Sequence, residues 1–517
     1  MCRTIPSRQM EEADPSLRVQ IPPPRTRTNS SIPRSRGRCH SGWWCLLMRL
    51  LPRLCMATGD SAAAAGEGDS SNSGSKQQAA AVSSSSSTVS TSSSAAAAAV
   101  SEASSSMSLP SLPSLSDVTG SMSASLAASF AHVTTLCPLS TAAAAASAAA
   151  VAAADYSVHG GGGLVVVVAR PAAVVLHDVF TMEATSTSDM ADDTSAAGSV
   201  KCVAHLHGGK AAVTGHQDGR LRLWRMSSRA PDRLRLAAAL PTVSDRLRRF
   251  PVPSNHVTVR RHHRRLWIEH ADAVSGVAAS ADGRLLFSVS WDKTLKVWAV
   301  PSLRCLQSLP AHDDAVNAVA VAHDGTVYTA SADRRVRVWA PRAPAAGPDR
   351  ASRRPGKKPA YHLVATLSRH AAAVNAVAVG CGGQVLYSGG NDRCVVVWER
   401  EDSASHMVAV GALRGHRRAV LSVACAAGDA ADGALVVSGA ADQTVRAWRR
   451  GADGRGYYCV AVIDGHGSAV RSVAAALVTA QKKRRADDDG GDEEWRVCSA
   501  SFDGEVRLWS LRVAAAS

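Results

Sequence analysis

The sequence predicts an all-β fold in which one small sheet unit recurs along the chain, and three observations predict it. An Asp is followed six residues later by a Trp at Asp218/Trp224, Asp292/Trp298, Asp333/Trp339, Asp392/Trp398, Asp442/Trp448 and Asp503/Trp509. Four residues before each Asp stands a hydroxyl: Thr214, Ser288, Thr329, Ser388, Ser438 or Ser499. A His (His270, His312, His370, His416 or His466) precedes five of the frames and leads into a run such as VNAVAVA or VRSVAAA. Residue types held in register this often mark internal repetition, which takes precedence over any local reading.

Each frame resolves into the same elements. VLYSGG and LLFSVS are short apolar runs of strand composition. The Asp follows in a tight polar turn, where its carboxylate can accept backbone N–H bonds. TLKVW and RVRVW alternate apolar and charged residues, as a strand with one face outward does. The run after the His is a third strand.

These frames resemble the WD-repeat β-propeller family, whose repeat is a four-stranded blade. The resemblance implies a hydrogen-bonded tetrad inside each blade: His270/Ser288/Asp292/Trp298, His312/Thr329/Asp333/Trp339, His370/Ser388/Asp392/Trp398, His416/Ser438/Asp442/Trp448 and His466/Ser499/Asp503/Trp509. Four buried polar groups that satisfy one another avoid the penalty each would incur alone. The frame at 200–224 lacks the His and so has an incomplete tetrad. A hydrolase reading of the His-Ser-Asp set fails, because a hydrolase needs one exposed nucleophile beside one base, not a set repeated with a Trp attached.

Seven blades are expected: six clear ones and a degenerate first. In the degenerate one, HVTTL at 132–136 reads as an outer strand and AVAAADYSV at 150–158 as an inner one. LVVVVARPAAVVLHDVF at 164–180 supplies two more, with RPA at the turn. The propeller then occupies 130–515, with blades near 130–181, 197–240, 268–309, 310–367, 368–413, 414–463 and 464–515. Strands near His132 or after Trp509 could each close the ring.

Residues 1–125 are a different material, Arg- and Pro-rich first, then Ser- and Ala-rich. Such a composition cannot bury a core and is expected to be disordered. GWWCLLMRLLPRLC at 42–55 is too short and too interrupted by Arg to span a membrane. The reading places the translation start at Met56. The 12 cysteines show no metal-ligand spacing. Cys202, Cys381, Cys425 and Cys498 read as small buried residues of strands in a reducing compartment. His262 and His263, flanked by Arg, read as basic surface, and no metal or other cofactor is implied.

The spacing is broken most between Trp224 and Trp298, where a basic insertion fills 242–267. It carries Arg246, Arg248, Arg249, Arg260, Arg261, Arg264 and Arg265 against one Asp, with one Glu, Glu269, just beyond it. A dense Arg cluster can hold acidic peptides, phosphate groups or nucleic acid; alternatively, some of these arginines pack the loop with their heads in water. Leu240-Pro241-Thr242, Asp245-Arg246, Arg249-Phe250, Pro253 with Asn255, Arg260-Arg261-His262 and Leu266-Trp267 resemble a segment of the plant Jingubang-like WD-repeat proteins. Two smaller inserts, the Pro- and Arg-rich 341–359 and QKKRRADDDGGDEE at 481–494, read as solvated loops, KKRR also as a nuclear import signal. The residue before each turn Asp should face a partner, which singles out Trp291, Asn391 and Phe502. Arg417 and Arg418 border the same opening.

The leading reading is a non-catalytic scaffold that binds other proteins. The resemblance implies a plant regulator of growth or developmental signalling, monomeric, shared between cytoplasm and nucleus, with transcription regulators among its partners. A second reading is a cullin-type ligase receptor, although at Trp398-Glu399-Arg400-Glu401 a Glu stands where that class has an Arg. A third is nonspecific nucleic-acid association, since the net charge is +15, yet stacking aromatics are few and no nucleic-acid motif is present. No specific nucleic-acid or membrane partner is expected, and no phosphate loop or isolated nucleophile-base pair supports an enzyme.

Overall fold

A computed structural model of the chain describes residues 112–115, 128–135, 151–154, 165–169, 173–178, 184–189, 199–206, 211–227, 230, 233–260, 263–342, 360–426, 434–451, 456–478 and 493–513. The readings made for 1–125 and for the loops 341–359 and 481–494 lie outside these residues except at 112–115, 341–342 and 493–494.

Among the described residues the strands form seven four-stranded antiparallel sheets and one two-stranded hairpin. The first six sheets run consecutively through 151–189, 200–240, 274–310, 316–367, 374–414 and 420–463. The innermost strand of each sheet packs against its neighbours on both sides, and Val470–Leu477 of the seventh packs against Val151–Ala154 of the first. The sheets are therefore the blades of a closed seven-bladed propeller.

Ring closure corrects the expected first blade. Ala128–Thr135 does not join the sheet at 151–189 but pairs with Val506–Val513, so the seventh sheet takes three strands from the C-terminal region and one from far upstream. The outer strand of blade 1 is Ala184–Asp189 instead, whose sequence ATSTSD has no apolar alternation to betray it. This exchange holds both ends of the repeat array in one hydrogen-bonded ladder. His132 lies opposite Trp509 there, with ring centroids 5.1 Å apart.

The core lies between blades, because each sheet is apolar on both faces. Leu221 and Leu223 of blade 2 pack with Val274, Leu286 and Trp298 of blade 3. Phe287 of blade 3 meets Tyr361 of blade 4 edge-to-face at 5.1 Å. Tyr387 of blade 5 meets Tyr457 of blade 6, their hydroxyls 3.0 Å apart. Each such side chain contributes about 1.5–3 kcal/mol when fully buried. The tetrad indoles also pack beyond their own blades. Trp339 of blade 4 is buried in a cluster with Phe287, Val289, Leu295 and Val297 of blade 3, just as Trp298 of blade 3 packs with blade 2. The reason is that an indole is far larger than the N–H it contributes to a polar contact, so its ring fills the space between sheets. A second element departs from expectation: Cys381 opens a 3-10 turn, Cys381–Gly383, rather than lying in a strand.

The Asp turns share one backbone. The residue after the Asp is left-handed in every clear frame: Gly219 (φ 80), Lys293 (φ 70), Arg334 (φ 69), Arg393 (φ 68), Gln443 (φ 70) and Gly504 (φ 85). The Asp Oδ1 accepts the next-but-one N–H, as from Thr294 at 2.9 Å and Arg335 at 3.0 Å. A Cβ in this region costs about 1–2 kcal/mol, partly offset by its restriction of the unfolded chain. Arg393→Gly is therefore expected to raise stability by up to about 1 kcal/mol, read as a higher midpoint in urea unfolding. A lower midpoint would show that the Arg393 side chain makes a stabilising contact.

Candidate functional site

In five blades the His, hydroxyl, Asp and Trp form a continuous hydrogen-bonded relay. In blade 5, Trp398 Nε1–H donates to Ser388 Oγ at 2.8 Å, His370 Nε2 is 2.7 Å from that Oγ, and His370 Nδ1 is 2.7 Å from Asp392 Oδ2. The hydroxyl anchors the same chain for His270 through Ser288, His312 through Thr329, His416 through Ser438 and His466 through Ser499. The indole bond recurs with them: Trp298 donates to Ser288 at 2.9 Å, Trp339 to Thr329 at 3.0 Å, Trp448 to Ser438 at 2.9 Å and Trp509 to Ser499 at 2.8 Å. At the other end, the imidazoles of His312 and His416 stand 2.8 Å and 3.1 Å from Asp333 and Asp442. One proton assignment satisfies every atom. The carboxylate can only accept, so Nδ1 of a neutral imidazole carries the proton and points at it; Nε2 then accepts the hydroxyl proton, while the hydroxyl oxygen accepts the indole N–H. The Asp also accepts the N–H of the residue after the His, as from Arg417 at 2.8 Å and Gly467 at 2.9 Å. The relay thereby staples the loop entering each blade to its Asp turn.

Burial favours a neutral imidazole at three of these histidines, and hydrogen bonding favours an ionised Asp292. Desolvation pushes His270, His312 and His466 below the ordinary imidazole range, against the pull of their Asp partners. Burial alone would raise Asp292, but the His270 contact, the Thr294 hydroxyl and the Ala271 N–H hold it well below the usual carboxylate range. The hydroxyls Ser288, Thr329, Ser388, Ser438 and Ser499 are fully buried behind the indoles. A nucleophile in that position cannot meet a substrate. The groups His370/Asp392/Cys394 and His466/Asp503/Glu505 bring ligand-type atoms together, yet each imidazole and Asp there is engaged in a relay bond. Burial, followed by the nearby Asp392, pushes the Cys394 thiol up to about 12.

Blade 2 is more complete than its sequence suggests. His216, two residues after Thr214 in the same strand, places Nε2 2.8 Å from Thr214 Oγ1, which also accepts Trp224 Nε1–H at 2.9 Å. An imidazole from a different position thus meets the hydroxyl, and Arg222 pairs with Asp218 at 3.2 Å. The motif spacing hid this because the substitute His lies inside the strand and not in the entering loop.

The insertion is an ordered structure. Thr242 caps the helix Val243–Arg249 by accepting the Asp245 N–H. A 3-10 turn, Pro253–Asn255, and a hairpin, His256–Arg260 with His263–Leu266, follow. Arg249 faces inward: it pairs with buried Asp245 at 3.2 Å, donates to the Cys305 carbonyl at 3.3 Å and lies 4.4 Å over the Trp267 ring. Trp267 Nε1–H in turn donates to Asn255 at 3.1 Å. Arg246 pairs with Glu269 at 2.6 Å, and Arg248 is exposed. Arg261 and the Arg260 side chain lie outside the described residues.

Between the insertion and the Asp218 turn lies a polar cleft of about 440 Å³, lined by Arg220, Arg222, Arg246, His263, Arg264 and Arg265 against Asp218 and Glu269. Beside it the helix shows solvent an apolar stripe that the Arg count concealed. Val243, Leu247 and Phe250 are 70%, 50% and 58% exposed, and their spacing puts them on one helix face. Val252, Val257 and Val259 are exposed next to them in sequence. Apolar surface rimmed by charge is a common feature of protein interaction sites.

The other singled-out residues belong to the Asp-turn ends of their blades. Trp291 and Phe502 are exposed, each with a cation over its ring: Lys201 at 5.8 Å and Arg471 at 5.6 Å. Asn391 is exposed and accepts Asn375 Nδ2–H at 2.7 Å. Arg417 and Arg418 are exposed. The motif reading missed the second residue of the inner strands. Ser275, Asn317 and Asn375 donate to the first carbonyl of the next inner strand, at Val316, Val374 and Val420. The recurring V-S/N-x-V pattern was the available signal.

The WD40 family (WD domain, G-beta repeat) matches residues 193–225, 262–299, 303–340, 361–399, 407–449 and 457–510. The chain is a WD40-repeat protein. Blade 1, without the Asp and the Trp, falls outside the matched segments. At 33% identity over 84 residues, 16% of each chain, the protein is similar to an uncharacterized WD repeat-containing protein of Schizosaccharomyces pombe (strain 972 / ATCC 24843). At 29% identity over 134 residues it is similar to mitochondrial division protein 1 of the same organism, across 25% of this chain and 20% of that one. The matched stretches therefore span a fifth or less of these relatives. WD40 propellers are protein-interaction scaffolds and typically not enzymes. Among the described residues no helix is long and apolar enough to cross a membrane.

Two outcomes follow from the relay. Ser388→Ala leaves the Trp398 indole N–H and His370 Nε2 without their partner and is expected to cost about 2–6 kcal/mol, at about 1–3 per orphaned group; a change below about 0.5 kcal/mol in urea unfolding would contradict the relay. The pH dependence has a definite sign. His270, His312 and His466 have folded values below the unfolded 6.5, so the unfolded chain takes up protons first as pH falls. Their contribution is fully present above pH 6.5 and is lost on acidification below it. The melting temperature should accordingly be flat just above pH 7 and decline below pH 6.5, and a rise there would refute neutral relay histidines.

Proposed function

We propose that this WD40 protein is a non-catalytic adaptor whose specific partner binds the insertion between blades 2 and 3. The observation that carries this reading is the exposed stripe Val243, Leu247 and Phe250 beside the arginine-lined cleft. Helical spacing directs Asp245 and Arg249 toward the blades and the stripe away from them, with Arg246 at the border. The complementary partner is a protein with apolar anchor residues flanked by acidic side chains. Aromatic and Arg anchors dominate such contacts, and Phe250, Arg246 and Arg264 supply them on this side. Trp291, Asn391, Phe502, Arg417 and Arg418 extend the surface around the Asp-turn ends.

The likeness of the insertion to Jingubang-like proteins supports a plant regulatory role in growth or developmental signalling. In that reading the protein is a monomer shared between cytoplasm and nucleus, with transcription regulators among its partners. The apolar stripe favours a protein partner over nucleic acid, whose recognition rests on charge and stacking. The segment at Trp398 lends no support to a ligase receptor: Arg400 bonds Asp324 and Tyr328 of blade 4, and Glu399 bonds Arg450 of blade 6.

Leu247→Asp/Phe250→Asp tests the reading, because both side chains are exposed and their loss leaves the core intact. The expected result is at least tenfold lower recovery of partners in quantitative affinity capture at physiological salt, with an unchanged melting temperature. Equal recovery from the native protein and the variant would remove the insertion as the binding surface.

A further inference from the structure

Residues 112–115 (Leu-Pro-Ser-Leu) occupy a groove on the rim of the propeller that the repeat architecture does not require them to fill. The outer strand of blade 5, Met407–Arg414, pairs on one side with Cys394–Arg400 and is the edge of its sheet. Ser114 forms a parallel bridge with Ala412 on the other side. The Leu115 N–H donates to the Ala412 carbonyl at 3.0 Å, and the Ala412 N–H donates to the Pro113 carbonyl at 3.0 Å. The Tyr457 N–H, at the start of the outer strand of blade 6, donates to the Leu115 carbonyl at 3.1 Å. Arg414 Nη2 reaches the Leu112 carbonyl at 3.4 Å. The segment is thus an added strand that bridges two blades through backbone bonds.

Side chains complete the fit. Leu112 packs against the cluster that contains Trp398, and Leu115 against the one that contains Tyr387, Trp448 and Tyr457. Pro113 and Ser114 point outward. The floor beneath Leu115 is Gly411, where any Cβ would collide with the leucine Cγ. Gly411 lies opposite the residue before the blade Trp. The matching positions in the other blades, taken around the ring, are Ser186, Ala238, Gln307, Ala365, Ala461 and Thr134. Only blade 5 lacks a Cβ there, and only blade 5 has a leucine from outside the repeat seated on it among the described residues.

An exposed edge strand with a shaped apolar slot is the geometry of strand-addition peptide recognition, in which main-chain bonds give affinity and alternate side chains give specificity. We propose that the groove between the outer strands of blades 5 and 6 is a binding site for an extended Leu-Pro-x-Leu peptide, and that residues 112–115 are its intramolecular ligand. The sequence around it, SLPSLPSL at 108–115, repeats the Leu-Pro-Ser unit, so Leu109 and Leu112 can take the same two positions after a three-residue shift. Proline holds such a peptide extended before it binds. The tether of 12 residues to Ala128 keeps the ligand at a high local concentration, on the order of millimolar. A peptide supplied in trans must displace it, and the groove opens to other chains only when the segment is released.

The full-length chain tests this with a fluorescent peptide of residues 108–116 read by anisotropy. Leu112→Asp/Leu115→Asp should empty the groove and bind the peptide at least tenfold more tightly than the native chain. Adding Gly411→Val to that variant should abolish binding. Hydrogen exchange at the Ala412 and Tyr457 amides should accelerate in the emptied variant and slow again with peptide. Equal affinity of the native and emptied chains would overturn occupancy in cis, and a folded emptied chain that binds no peptide would overturn the site. If the emptied chain does not fold, Leu115→Ala decides by the same two readouts.

Discussion

The buried hydroxyl at the centre of each relay is the constraint on which the blades depend. It accepts from the indole and donates to the imidazole, and so links the third strand of the blade to the loop that enters it. Without it, two buried nitrogen atoms would lose their partner together, which is why Ser or Thr holds this position in all six legible frames. The Asp at the far end of the chain does a second task, since it closes its own turn while accepting the N–H of the entering loop. One polar chain therefore sets the turn, the loop and the Trp rotamer at once. The Gly before His466 obeys the same constraint: its backbone lies at φ 140, and a Cβ there would meet the Trp509 ring at 3.1 Å.

Relays fix single blades; other contacts make the ring. The indoles belong to both, since Trp339 hydrogen-bonds within blade 4 while its ring packs against blade 3. Near the axis, Ser275, Asn317 and Asn375 each donate to the next blade. The pattern lapses where Leu421 replaces the polar residue, and the blade 6–7 junction instead relies on apolar packing and the Arg449–Glu493 pair. Arg471 of blade 7 reaches the Lys201 carbonyl of blade 2 at 3.1 Å, past the weakly patterned blade 1. Blade 1 has no Trp of its own to anchor a relay, so its place in the ring is secured by neighbours on both sides. The upstream strand Ala128–Thr135, paired into the last sheet, completes the closure.

The repeat was legible in the sequence because its spacing is rigid: a turn of fixed length separates hydroxyl, Asp and Trp, so six frames align without gaps. What escaped was set by long-range geometry. His216 fills an imidazole role from another strand position. Ala184–Asp189 forms a strand with no apolar pattern because its neighbours supply the ladder. For Ala128–Thr135 the sequence left two places open, the outer strand of the nearest blade or the closing strand of the ring, and its pairing with Val506–Val513 decides for closure. Within the insertion, counting arginines treated them alike, whereas the fold commits Arg249 to Asp245, Cys305 and Trp267 and leaves Arg248 in solvent. Residues 112–115 carry too little composition signal to stand out from the Ser-rich stretch around them.

The insertion and the rim groove differ in the physical work they ask of a partner. The insertion is held in place by its own contacts, with Thr242 capping the helix and Trp267 clamped between Asn255 and Arg249. A partner meeting Val243, Leu247 and Phe250 finds them already ordered, so little conformational entropy is lost on binding. The rim groove is filled by an extended segment whose four residues hold on by backbone bonds and two leucines. Its occupancy is a competition whose outcome is governed by tether length and peptide concentration. A rigid surface and an exchangeable strand on one propeller can thus respond to different signals, the first to the presence of its partner and the second to whatever frees or sequesters the segment.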